Sequence, residues 1–206
     1  MYRFVVLASL LLVASPATAQ TTLGLKGGVG LANVSIDEAG LEEESVSRIV
    51  AGVELGVPLS SVFSLRLGGM YAPKGGAVTV EGVGVTLNLD YIQLSALARA
   101  ATSSDGGLSI GVTAGPWAAY RLSCDVEAAA QGFNISVPCD DADFSDFAAE
   151  TLDFGLALGG GVELPLYGSF RLGVDALYSL GLASVGGRDT KTRHLTVQTG
   201  VVFPIA

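Results

Sequence analysis

Residues able to do chemistry are scattered thinly along this chain. The single histidine, His194, would act as a general base only beside a nucleophile such as Thr196, Ser179 or Ser184, with a carboxylate to orient its ring. No orienting carboxylate stands beside it, so hydrolysis of lipid or peptide is not expected and no catalytic residue is assigned. Asp141, Asp143 and Ser145 alternate as the oxygen ligands of a calcium loop do. The glycine that such a loop needs for its sharp turn is replaced by Asp146, so Asp141, Asp143 and Asp146 are cation candidates only, and no metal or cofactor is expected. Gly27-Gly28-Val29-Gly30 and Gly159-Gly160-Gly161 have the composition of phosphate-cradling loops, but no helical period follows either. Both read instead as places of close packing. Cys124 and Cys139 are the only cysteines. In an exported chain they are expected to pair, closing a loop of about fifteen residues and removing roughly 3 kcal/mol of unfolded-state freedom.

Export is indicated by residues 1–19, where Arg3, the apolar run Phe4 to Val13 and Ala17-Thr18-Ala19 have the order of a signal peptide with its cleavage site. The apolar run is shorter than the ~20 residues of a spanning helix. Residues 20–206 then form one domain by length. Its net charge of −9 over the whole sequence disfavours nucleic acid, whose phosphates require a basic face. The acidity is concentrated in two connections, around Asp37 to Glu44 and around Asp125 to Glu150, which read as solvated loops.

The elements that position these residues follow one rule. From Leu152 to Leu182, Leu152, Phe154, Leu156, Leu158, Val162 and Leu164 share one parity while Asp153, Gly155, Ala157, Gly159, Gly161 and Glu163 take the other. After a turn at Pro165 to Ser169 the alternation resumes, with Arg171, Gly173, Asp175 and Ser179 on the polar side. Period two means strands. A barrel in water hides its apolar face, which here would leave arginine, aspartate and glycine outside; the reverse arrangement belongs to a barrel dissolved in lipid. The same alternation marks strands from Leu23, from Ala51, from Phe63, near Leu87 to Ala98, from Leu108 and from Leu195 to Phe203. Near Asp90 the parity changes, and a bulge is expected there.

The predicted fold is therefore all-β: an eight-stranded antiparallel up-and-down transmembrane barrel, with connections that alternate long and short. Short turns belong on the periplasmic side and long loops outside, so both termini are expected in the periplasm. Parity sends Lys26, Arg66, Arg99, Arg121 and Arg171 inward with Glu54, Asp153, Glu163 and Asp175. Eight strands leave a lumen just wide enough for side chains, and charges shut in together must pair. Lys26 with Glu54, and Arg171 with Glu163 or Asp153, are the candidate pairs on neighbouring strands.

Leu23-Gly24-Leu25-Lys26-Gly27-Gly28-Val29-Gly30-Leu31-Ala32-Asn33 resembles the first strand of the PorT-like outer-membrane β-barrel family. Tyr91-Ile92-Gln93-Leu94, Ala114-Gly115-Pro116-Trp117 and the stretch Phe154-Gly155 through Gly161-Val162-Glu163 resemble further segments of it. The resemblance implies an outer-membrane place, with a minority of members tied to secretion or gliding machinery. The expected function is a structural or interaction barrel, monomeric, in outer-membrane lipid, with a plugged interior and a protein partner at its external loops. The alternatives are a small membrane enzyme or a secretion accessory.

Overall fold

A computed structural model describes residues 20–34, 43–44, 46–80, 83–104, 106–130, 133–139, 151–182 and 192–205. The leader at 1–19 lies outside the described residues. The elements in order are β1 (Thr22–Val34), β2 (Glu43–Glu44), β3 (Val46–Pro58), β4 (Phe63–Tyr71), β5 (Lys74–Val80), β6 (Val83–Ser103), β7 (Ser109–Ala130), β8 (Phe133–Pro138), β9 (Leu152–Pro165), β10 (Arg171–Gly181) and β11 (Thr192–Pro204). Eight of them, β1, β3, β4, β6, β7, β9, β10 and β11, pair antiparallel with their neighbours, and the β6–β7 pairing closes the ring. Closure matters in lipid because no water is present to satisfy an open edge. The remaining three form a collar at one end: β5 continues the line of β4 along the outer half of β6, β2 pairs with β5, and β8 pairs with the outer half of β7.

Alternation places leucine, isoleucine, valine and aromatic side chains around the outside; Leu158 is 64% exposed and Val112 62% in the isolated chain, and these are the lipid contacts. At the end away from the collar three tight turns join the strands. In one, the amides of Leu59 and Ser60 both donate to the Phe63 carbonyl; in another, Leu166 donates to the Phe170 carbonyl, with Gly168 at φ 61°; in the third, Ser104 and Leu108 close around Gly107 at φ 78°. Phe63, Tyr167 and Phe170 are exposed there, and Phe170 packs on Phe203 with ring centroids 5.9 Å apart, as at a membrane interface.

The irregularity expected near Asp90 is present, and it is carried by β7 rather than β6. The pairing does shift between Asp90 and Tyr91, but β6 keeps its alternation: Leu89, Tyr91, Gln93, Leu97 and Arg99 all face inward. The extra residue is Leu122 on β7, since Asp90 pairs with Ser123 and Tyr91 with Arg121. Beyond it Cys124 and Val126 turn inward against Leu87 and Leu89, so the collar end of the lumen holds a small apolar core with the Cys124–Cys139 disulfide at its top. The parity change seen in the sequence is thus a change in what the interior contains, not in the direction β6 faces.

Candidate functional site

The interior has two polar tiers. The one nearer the tight turns is an ion-pair cluster built from six strands, β1, β3, β4, β6, β9 and β10. Asp175, facing inward from β10, accepts from Lys26 Nζ at 2.8 Å and Arg66 Nη1 at 3.2 Å, with Arg99 Nη1 at 3.4 Å. Lys26 also donates to Glu54 at 2.8 Å, and Arg66 reaches Glu54 at 3.3 Å and binds Glu163. Arg171 donates from Nε to Glu163 at 3.1 Å and from Nη2 to the Gly107 carbonyl at 2.8 Å, tying the cluster to the β6–β7 turn. Charges this deeply buried hold their ionised form only when each is paired and hydrogen-bonded. Glycine makes the room: a Cβ on Gly161 would stand 2.1 Å from Asp175 Oδ1.

The tier beneath the collar centres on Lys74, which is 3% exposed. Its Nζ donates to Asp153 Oδ2 at 2.9 Å and lies 4.0 Å from the Trp117 ring centroid and 4.9 Å from that of Tyr91. Thr192 Oγ1 donates to the same carboxylate oxygen at 3.0 Å. Gly155 stands where a Cβ would come within 2.8 Å of the indole. Between the tiers a cavity of about 30 Å³, lined by Met70, Gln93, Leu97 and Thr196 among others, has room for about one water. A wider vestibule of about 180 Å³ lies at the tight-turn end, where Arg66, Arg99 and Glu163 form part of its lining.

Of the pairs the sequence suggests, Lys26 meets Glu54 and Arg171 meets Glu163, while Asp153 meets Lys74 instead. Arg121 is half-buried on the inward parity of β7, opposite Tyr91. Lys74, between Pro73 and Gly75-Gly76, is absent from the inward-facing charges that parity predicts. The signal that places it was present: Arg66, Gly68, Met70, Ala72 and Lys74 keep one parity through Pro73, and Ala72 still donates to the Tyr91 carbonyl at 2.9 Å.

His194 and Thr196 do come together, with Nδ1 and Oγ1 3.5 Å apart, but they are 2% and 1% exposed and face the lumen. Among the described residues no carboxylate hydrogen-bonds to His194. Ser179, on the neighbouring strand, is likewise buried, and Ser184, Asp141, Asp143 and Asp146 lie outside the described residues. Among the described residues no cluster of histidine, cysteine and carboxylate side chains has metal-site geometry. On the outward face of the collar, Tyr71 Oη donates to Asp90 at 2.8 Å, Ser123 donates to Asp90 at 3.0 Å, and Asn88 bridges Arg48 to Glu127.

A family model described as outer membrane protein beta-barrel domain matches residues 18–186. The structure of the outer membrane protein OprG from Pseudomonas aeruginosa is similar over 91% of this chain and 96% of its own, with a TM-score of 0.58 at 10% identity. Neisserial surface protein A is similar over 89% of this chain and 97% of its own, at TM-score 0.49 and 12% identity. Ail, the attachment invasion locus protein of Yersinia pestis, is similar over 90% of this chain and 100% of its own, at TM-score 0.47 and 13% identity. No curated protein matches the sequence. At these identities the likeness concerns the fold alone, and the OprG comparison carries it.

Proposed function

This chain belongs to the outer membrane protein β-barrel domain family, and from that premise we propose that it is a lumen-closed, non-catalytic barrel whose external acidic loops meet a partner. The observation that carries the reading is the cross-lumen cluster in which Asp175 serves Lys26, Arg66 and Arg99 together. Side chains from opposite walls meet in the middle, so a solute would have to break several buried ion pairs to pass. Buried inside the lumen, His194 and Thr196 are out of reach of a lipid or peptide substrate, which supports the non-enzymatic reading. The first-strand motif Leu23 to Asn33 supports a finer placement among PorT-like barrels.

Orientation belongs to the same proposal. The three tight turns face the periplasm, together with both termini, and the collar projects outward with the acidic connections. Residues 1–19 act as the export signal, and the barrel is a monomer. A photo-crosslinking side chain placed in living cells tests the working surface: at Ser136, in the collar, it is expected to give discrete adducts with another envelope component, and at Tyr167, in a tight turn, it is expected to give none. Adducts confined to position 167 would overturn the reading.

A further inference from the structure

We propose that the outer tier of the lumen is an alkylammonium-binding site, formed by Trp117, Tyr91 and Asp153 and kept closed by the chain's own Lys74. The components are those that recognise organic cations: two aromatic faces and a buried carboxylate around one ammonium nitrogen. An ammonium over indole gains most when water is excluded, and Lys74 and Trp117 are each 3% exposed.

The site also has binding capacity that Lys74 leaves unused. Asp153 Oδ2 receives both Lys74 and Thr192, whereas Asp153 Oδ1 is buried with no hydrogen-bond partner among the described residues and can accept from a further ammonium N–H. Buried polar atoms are rarely left so. Lys74 is a flexible four-carbon stem rather than a rigid wall element, so its head can be replaced by another of the same chemistry without altering strand pairing. Asp90, Asp125 and Glu127 lie with Arg48 on the outward face of the collar, where a net negative field raises the local concentration of cations. Primary alkylamines and amine-bearing solutes are the ligand class, and the site does not depend on whether the deeper ion-pair cluster blocks conduction.

Trp117 is the only tryptophan, so its fluorescence reports on the cage without labelling. Refolded barrels carrying Lys74→Ala are titrated with n-propylammonium, which supplies the atoms that the substitution removes, and with 1-propanol as the neutral counterpart. The expected result is a saturable change in Trp117 emission with propylammonium, none with propanol, loss of the response when Asp153→Asn is added, and at least tenfold weaker binding by the native protein, whose own lysine competes. Equal responses to amine and alcohol, no saturable response, or native binding as tight as the variant's would each overturn the proposal. Should Lys74→Ala fail to fold alone, propylammonium in the refolding buffer is expected to restore the heat-modifiable barrel and propanol is not; restoration by neither would overturn it as well.

Discussion

Replacing Asp175 by asparagine keeps the shape of the side chain and removes the charge at the centre of the inner cluster. In the native protein the cations Lys26, Arg66, Arg99 and Arg171 face the carboxylates Glu54, Glu163 and Asp175. Asp175→Asn leaves the same cations facing Glu54 and Glu163 alone, and directs an amide N–H₂ at groups that are already donors. Removing one partner of a buried pair costs about 3–5 kcal/mol. Here Lys26 retains Glu54 at 2.8 Å, Arg66 retains Glu54 at 3.3 Å and Arg99 retains Glu163 at 3.6 Å, so the loss falls at the low end, about 3 kcal/mol. The assay is reversible urea unfolding of the barrel in thin-bilayer vesicles, followed by Trp117 emission and by gel mobility without boiling. A lower midpoint at unchanged slope is expected. Adding Lys26→Met removes one of the stranded cations, so the double variant should be less damaged than the separate losses imply, by about 1–2 kcal/mol of coupling. A midpoint for Asp175→Asn within about 0.5 kcal/mol of native, or strictly additive losses, would refute the cluster as a connected network.

Three further outcomes follow from the same geometry. Gly161→Ala brings a Cβ to 2.1 Å from Asp175 Oδ1 and 2.6 Å from the Val174 carbonyl, and is expected to cost about 3 kcal/mol in urea midpoint; Gly168→Ala, at φ +61° with nothing within 4 Å, is expected to cost only about 1 kcal/mol. Joint replacement of Cys124 and Cys139 by serine should make the collar sensitive to added protease while leaving the heat-modifiable barrel intact, because the bridge lies in the apolar core at the collar end and ties β7 to the end of β8, a strand that is no part of the eight-strand ring. Leu158→Arg, on the lipid face, should lower stability by about 2–4 kcal/mol in vesicles, a loss that would be absent if that face met water.

Period two made the barrel readable from the sequence, because lipid outside and packed polar groups inside force every strand to declare its faces. Parity gives a residue's side of the wall but not its height along the barrel. Asp153 and Arg171 share an interior, yet they lie at opposite ends of β9 and β10, so Asp153 pairs with Lys74 and Arg171 with Glu163. Strand register sets heights, and no local residue pattern encodes it. Lys74 was obscured by the glycines after it and by Pro73, although the backbone passes through Pro73 without losing its alternation. At Leu122 a single additional residue on β7 changed the parity of its outer half, and the sequence signalled this on β6, where Leu87 and Leu89 turn inward to meet Cys124 and Val126. Apolar side chains inside the collar and outside the ring look alike until the edge of the lipid band is known.

The proposed closure of the lumen is tested most directly by single-channel recording of the refolded native barrel in planar bilayers. Interlocked charges from opposite walls predict a silent protein, with no stepwise current at moderate voltage in salt of physiological strength. Stable, reproducible open channels of uniform conductance would contradict the account.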